Sequence, residues 1–378
     1  MSVDDIVFVL GYSNRVCQIS LIQEYRNLVW DKVLAALQVP FPALTRLVLQ
    51  SNDEPEVINP DTFLGGSAPR LQYLEMEGVP FPGIPNLLFS ATHLVHLDLH
   101  DIPDSGYISL EAMASSLTVL TSLKTLTLDF LYPRSHPDRR EGRRSPPTTR
   151  SILPNLTKLL FNGDSEYLDD LAARIDTPRL DNLSMTFFFE LNFDTPHLVR
   201  LISRIPRFQE PNEAHVSLDF NDAEVGLLWT SDDCERLFMR ILYRDSDDSD
   251  PKLWCAAQAC VMCLPPLSTV EKLKVTNRYI YSPSQMKWKD DFEKDEWLAL
   301  LRPFTTVKNL YLSDAFQPNV ASALQELVVD RTTEVLPSLR NIFLAKFEPS
   351  GSFQEAVGQF IAARQLSGHA ITISVWEW

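Results

Sequence analysis

Two histidines and an aspartate stand at alternate positions in Leu94-Val-His96-Leu-Asp98-Leu-His100. On a strand, a spacing of two puts all three side chains on one face, about 7 Å apart. Two imidazoles beside carboxylates could hold a transition metal or pass a proton. A second candidate is Cys260-Val-Met-Cys263 with Cys255 upstream, a spacing able to present thiolates to zinc. Its surroundings read as helix and no second ligand pair follows, so these thiols are expected to pack rather than ligate. Asp245-Ser-Asp-Asp-Ser-Asp250 gathers carboxylates in a turn, but without the central Gly and terminal Glu of a calcium loop. Arg139-Arg-Glu-Gly-Arg-Arg144 lies in a basic, Pro-rich stretch at 132–151. It reads as a solvated loop, with nuclear targeting or anion binding as the alternative. The sequence has no P-loop, dinucleotide-binding glycine fingerprint, H-E-x-x-H or nucleophile elbow. The expectation is a chain with no catalytic residue, no metal and no cofactor. A metal-dependent enzyme using His96, Asp98 and His100 is kept as an alternative.

What must position these groups is a recurring frame. Leu94, Leu97 and Leu99 read L-x-x-L-x-L, and the frame returns at Leu44, Leu71, Leu123, Leu156, Leu180, Val270, Val307 and Leu339. Weaker copies start at Val16, Glu213 and Gly368. Most starts lie 23 to 37 residues apart, with one gap of 57. Leucine-rich repeats run at about 20–29 residues, so several units here are long. One strand per unit cannot cover its own apolar side, and stacked neighbours do so by forming a continuous leucine ladder. The expected fold is therefore α/β, a leucine-rich-repeat solenoid with a curved parallel sheet on its concave side and helices on its convex side. A single such domain is expected over 1–378, with the basic loop at 132–151 and an irregular insertion around 221–264. That insertion reads as two helices, Asp232–Tyr243 and Lys252–Cys263. Residues 3–22 read as one or two strands, and Glu24–Gln38, Tyr107–Leu120, Glu166–Ile175 and Pro196–Ile205 read as helices.

The odd positions of each frame then face outward and map the candidate contact surface. Tyr73, Glu75, Glu77, His96, Asp98, His100 and Asp129 form an acidic stretch in the N-terminal third. Glu75 and Thr127 should flank Asp98, while Glu77 and Asp129 should flank His100. Lys272, Lys274 and Tyr311 stand at equivalent positions towards the C-terminus. Arg46, Gln50, Ser217, Asp219, Ser313 and Phe343 are expected on the same wall. An acidic patch with an aromatic at its edge suits a protein target carrying a basic segment.

The formal charge of −16 over 378 residues argues against nucleic acid as partner, since that needs a basic surface. Five cysteines, Cys17, Cys234, Cys255, Cys260 and Cys263, make no disulfide framework and fit a reducing compartment. The run Ile6–Leu10 follows Asp4 and Asp5 and is too short for a signal peptide or a membrane span. A cytoplasmic or nuclear location without membrane attachment is expected.

Two C-terminal stretches carry a family resemblance. These are Trp297-Leu-Ala-Leu-Leu-Arg-Pro-Phe-Thr-Thr-Val-Lys-Asn-Leu-Tyr-Leu-Ser313 and Arg331-Thr-Thr-Glu-Val-Leu-Pro-Ser-Leu-Arg-Asn-Ile-Phe-Leu344. With Phe360-Ile-Ala-Ala-Arg-Gln-Leu-Ser-Gly-His369, Ile373-Ser-Val-Trp376, and the regions Leu94–Phe130 and Leu264–Val275, they resemble the F-box/leucine-rich-repeat proteins of mushroom-forming fungi. The resemblance implies a substrate receptor of a Skp–cullin–F-box ubiquitin ligase, whose repeats select the target. It also implies an N-terminal F-box docking on a Skp-type adaptor. No F-box is read here, because the chain enters Val16-Cys-Gln-Ile-Ser-Leu21 almost at once, so adaptor docking would need an F-box upstream.

Overall fold

Each clear frame whose pairing is described becomes a strand with its second and third apolar residues on the inner face. The structure is a computed structural model. It describes residues 2–22, 30–51, 63–80, 84–131, 150–188, 193–218, 222–229, 236–242, 252–277, 294–313, 316–326, 333–345 and 351–376. They fall into two compact units, 1–183 and 184–378. The architecture is α/β, with a mostly parallel sheet and helices.

The first unit opens with α1 (Val3–Leu10), β1 (Gln18–Ile22), α2 (Trp30–Ala36) and β2 (Arg46–Gln50). It continues with β3 (Tyr73–Glu77), α3 (Ile84–Leu88), β4 (His96–Ile102), α4 (Leu110–Leu117) and β5 (Thr125–Phe130). Then come β6 (Ser151–Ile152), β7 (Lys158–Gly163), α5 (Ser165–Arg174) and β8 (Ile175–Asp176). Strands β1, β2, β3, β4, β5 and β7 pair in that order, all parallel, while β6 and β8 make a separate small pair. Register aligns the frame: Ile19, Leu47, Leu74, Leu97, Leu126 and Leu159 form one inner row, and Leu21, Leu49, Met76, Leu99, Leu128 and Phe161 the next. From Leu47 onward these side chains are at most 2% exposed. At roughly 1.5–3 kcal/mol for each large side chain removed from water, the two rows are the main force ordering the stack. Helices α3, α4 and α5 pack in sequence and cover the rows.

Entry into each strand repeats one device. The carbonyl of Gln72 accepts from both Val95 N and His96 N, that of Val95 from Lys124 N and Thr125 N, and that of Lys124 from Thr157 N and Lys158 N. The first leucine of the frame closes the preceding turn, as when Leu94 N donates to Ala91 O and Leu123 N to Leu120 O. Gly78 follows β3 with φ +63°, and a Cβ there would stand 2.2 Å from the Ser51 carbonyl oxygen. Only glycine fits that close approach.

Residues 3–10 are helical rather than extended. Ser2 Oγ accepts from Asp5 N, and the Asp5 carboxylate accepts from Ser2 N, a reciprocal cap that sets a helix start ahead of a β-prone apolar run. The stretch expected as a loop through residue 151 ends earlier, since Ser151 pairs with Ile175 and Arg150 Nε donates to Ala173 O. The rest of it, 132–149, lies outside the described residues, as do Asp219, Cys234 and Asp245–Asp250.

Strand β9 (Asn182–Phe188) straddles the division between the units. The second unit continues with α6 (Pro196–Arg204), β10 (Glu213–Leu218), β11 (Asp222–Leu228), β12 (Leu237–Leu242), α7 (Lys252–Met262) and β13 (Lys272–Asn277). It ends with α8 (Lys294–Leu301), β14 (Asn309–Leu312), α9 (Gln317–Gln325), β15 (Asn341–Leu344), α10 (Gly351–Leu366) and β16 (Thr372–Val375). Its strand order is β12, β11, β10, β13, β14, β15, β16. Here the insertion differs from the expected pair of helices. Leu237–Leu242 is a strand, antiparallel to β11, which is itself antiparallel to β10. Leu237, Met239 and Ile241 are buried and alternate with half-buried Phe238, Arg240 and Leu242, a period of two. Among the described residues of the insertion the helix is Lys252–Met262, and it packs on β10 and β11.

Two of the weaker frames are displaced by two residues. Ala214 and Val216 align with Leu273 and Val275, so that unit starts at Pro211 rather than Glu213. Ile373 and Val375 align with Ile342 and Leu344, so the last unit starts at Ala370 rather than Gly368. In both, Ala or Pro occupies a position that leucine fills elsewhere, and a search for large apolar residues slides past it.

Candidate protein-binding face

The non-core sides of β2, β3, β4 and β5 bring the acidic residues together. Tyr73, Glu75 and Glu77 alternate with buried Leu74 and Met76, and all three are half-buried. Register sets Tyr73 beside His96, Glu75 beside Asp98 and Glu77 beside His100. Asp98 in turn lies beside Thr127. These are the neighbours that the strand spacing implies.

Glu75, Asp98 and Asp129 are each held by donors. Glu75 accepts from Gln50 Nε2 and from the Tyr73 hydroxyl, both at 2.7 Å. Asp98 accepts from the Thr127 hydroxyl at 2.7 Å, and Asp129 from Asn162 Nδ2 at 2.7 Å. The Arg46 guanidinium lies over the Tyr73 ring at 3.6 Å, and His96 contacts that ring at 5.4 Å between centroids. Burial and the hydrogen bond to Glu75 push the Tyr73 phenol above its ordinary pKa. Thr127 and Ser51 are buried in this layer, so Thr127 supports Asp98 and is not itself offered to solvent.

Strand β4 breaks regularity where the acids crowd most. Its pairing with β5 shifts between Leu99 and Ile102, and Asp101 takes φ +47°. The bulge leaves both His100 and Asp101 half-buried between inward Leu99 and Ile102. His100 Nδ1 stands 3.8 Å from Asp129 Oδ2. The Asp129 carboxylate raises the His100 pKa, burial opposes it, and Asp98 and Glu77 add to the rise. Burial, then the nearby Asp129, raises the Asp101 carboxyl. Asp101 is the member that sequence reasoning missed, because a one-residue bulge leaves no mark in a leucine pattern.

His96, Asp98 and His100 share the face as expected, but each is engaged with a different neighbour: Tyr73, Thr127 and Asp129. Among the described residues no group of three or more His, Cys, Asp or Glu is placed to hold a metal ion. Cys260 and Cys263 are buried. Burial, then the neighbouring Cys263, pushes the Cys260 thiol up to about 12, so it stays protonated and packs as an apolar group. Cys263 Sγ lies 3.6 Å from the Thr195 hydroxyl.

In the second unit, Lys272, Lys274 and Tyr311 also sit on the non-core side, but the lysines are paired. Their ammonium groups reach the two oxygens of Glu213 at 2.9 and 2.6 Å. Burial works to raise the Glu213 carboxyl, yet hydrogen bonds from Lys274 and Lys272 win and hold it below its ordinary value. Tyr311 stacks on Phe343 at 4.4 Å and meets Trp376 edge-on at 5.2 Å. Lys272 Nζ lies 5.3 Å from the Tyr311 ring centre. Ser217 and Ser313, expected at the surface, are 4% exposed. The second unit thus presents an aromatic platform with largely balanced charge, and the first unit an acidic one.

No helix among the described residues is long and apolar enough to cross a membrane. No family model and no curated protein matches the chain. Among solved structures, the leucine-rich repeat-containing protein LegL7 from Legionella pneumophila is similar, at 10% identity, over 93% of this chain and 98% of that one, with a TM-score of 0.29. A likeness that loose carries no argument, and the α/β assignment rests on the strand register of this chain alone.

Proposed function

We propose that the chain is a leucine-rich-repeat solenoid serving as a protein-recognition module without catalytic activity. In this reading the face built by β2 to β5 holds a Lys- or Arg-bearing segment of a protein partner. The observation that supports it is the row of carboxylates Glu75, Glu77, Asp98 and Asp129, of which Glu75, Asp98 and Asp129 are pre-positioned by hydrogen bonds, with Arg46 as the one permanent cation within strands β2 to β5. Side chains already held in place lose little freedom on binding, so more of the electrostatic attraction survives as affinity.

The test is titration of the full chain with a labelled Lys/Arg-rich peptide, against a peptide of the same length with those residues replaced by Ser. Salt-sensitive binding of the basic peptide alone supports the reading, and equal binding of both, or of neither, overturns it. The resemblance of Trp297–Ser313 and Arg331–Leu344 to F-box/leucine-rich-repeat proteins supports a second reading, a target-selecting part of a Skp–cullin–F-box ligase. Retention of a purified Skp-type adaptor by the folded chain would favour it, and failure to retain the adaptor would count against it.

A further inference from the structure

We propose that β16 pairs with β16 of a second copy of this chain, giving a two-fold dimer with one sheet continued across the interface. The argument begins with hydrogen-bond direction. Thr372 N donates to Arg340 O and Trp376 N to Leu344 O, so the even-numbered residues of this strand turn their backbone groups towards β15. Backbone groups alternate sides along a strand, so those of Ile373 and Val375 point to the open edge. The other side of β16 pairs with no strand among the described residues.

The side chains of this edge fit a copy of themselves. Ile373 and Val375 continue the two inner apolar rows, Ile371 precedes them on the same side of the chain, and Thr372 and Ser374 lie on the polar side. Ile373 is 36% exposed and Val375 60%, whereas Ile342 and Leu344 beside them in the same two rows are 2% and 0% exposed. The ladder that neighbours cover elsewhere is thus uncovered here. Leu366, at the end of α10, is 90% exposed nearby in the chain. No charge stands between Ile371 and Val375, whereas open edges are commonly guarded by Lys or another charged residue.

A two-fold axis perpendicular to the sheet, midway between the Ile373 residues of the two copies, gives one register. Ile373 exchanges backbone bonds with Ile373 of the second copy, and Ile371 does so with Val375. Apolar residues then meet apolar residues on one side, and Thr372 meets Ser374 on the other. The same operation keeps the helices of both copies on one side of the sheet. It is the closed, self-complementary contact that two-fold dimers use.

The experiment is sedimentation of the full chain up to on the order of 100 µM. Twice the chain mass of 43.0 kDa is expected, and a monomer throughout overturns the proposal. Val375→Lys, at a well-exposed position, is expected to weaken dimerisation by about tenfold or more with unchanged circular dichroism. A dimer that Val375→Lys leaves intact lies on another surface and also overturns the proposal. A register-specific measurement covers the case in which that variant misfolds. In a background with Cys17, Cys234 and Cys255 replaced by Ser, Thr372→Cys and Ser374→Cys chains are expected to cross-link when mixed, and neither alone. Cα atoms in such a non-hydrogen-bonded pair lie about 4.5 Å apart, within disulfide reach. Equal cross-linking in all three samples, or in none, excludes the register.

Discussion

Reversing Glu75, Glu77 and Asp98 to Lys separates the recognition reading from a purely structural one. The three side chains occupy adjacent positions on β3 and β4, so a bound cationic segment meets all of them. Each reversal removes one partly solvated attraction and adds one repulsion, together roughly 1 kcal/mol at physiological salt. Three sites give about 3 kcal/mol, or about 150-fold in affinity for a basic peptide. The isosteric set Glu75→Gln, Glu77→Gln and Asp98→Asn removes only the attraction, so about half that energy, roughly 10-fold, is expected. Asp98→Asn keeps an acceptor for Thr127, and Glu75→Gln keeps one for Gln50 while its new amide N–H donates to the Tyr73 hydroxyl oxygen, so folding should be nearly unchanged. The Lys set loses those acceptors, at about 1 kcal/mol for each donor stranded. Fluorescence anisotropy of a labelled Lys/Arg-rich peptide, repeated across salt, reads the affinity, and thermal melts read the fold. Reversal of Asp4, Asp104 and Glu355, which lie off this face, matches the change in net charge. Undiminished affinity in a folded Lys variant, or equal loss in the off-face control, would refute the reasoning. Collapse of the Gln/Asn variant would refute the outward placement of these residues.

Binding should also depend on pH through His100, whose pKa lies above the ordinary 6.5. Protonation places a cation within the acidic row, so affinity for a basic peptide should fall by up to about fivefold from about pH 8 to about pH 6, and His100→Asn should flatten the profile. The stability term has the opposite sense: a raised native pKa stabilises the fold fully below the unfolded value and loses that contribution as pH rises through the native one. Gly78→Ala should cost about 2–4 kcal/mol, because φ +63° and a Cβ 2.2 Å from Ser51 O combine strain with a backbone clash. Chemical denaturation reads this loss, and a change under 1 kcal/mol or so would contradict it. Arg364 is 0% exposed and donates to the carbonyls of Leu336, Pro337 and Leu339, where Leu336 has φ +49°. Arg364→Met keeps much of the bulk but strands the Pro337 and Leu339 carbonyls, while Leu336 O still accepts from Leu339 N, so a loss of about 2–4 kcal/mol is expected in the same assay.

What the sequence made legible follows from side-chain size. Leu47, Leu74, Leu97, Leu126 and Leu159 announce their register because each is the middle leucine of the same L-x-x-L-x-L frame, and burying them dominates the local energetics. The flanking of Asp98 by Glu75 and Thr127 then follows from strand geometry alone. Where small residues stand in for leucine, at Pro211, Ala214 and Ala370, the frame slips. Leu237–Leu242 reads equally well as helix or strand in isolation, and antiparallel pairing with β11 decides it. The capping box at Ser2 and Asp5 was present in the sequence, yet the β-prone run Ile6–Leu10 masked it. The bulge at Asp101 is set by tertiary pairing and had no pattern to find.

Among the described residues, the antiparallel excursion through β11 and β12 enlarges the sheet by two strands with α7 as its helix. Two reversals restore the original direction, so β12 runs parallel to β10 and its partners. Helix α7 packs against both β10 and β11, which makes one element the roof of more than one rung. Such an architecture can lengthen its outer wall by hairpins alone, and divergence there alters surface chemistry while the leucine ladder on either side stays intact. The same economy concentrates vulnerability, since loosening α7 would unroof two neighbouring strands at once.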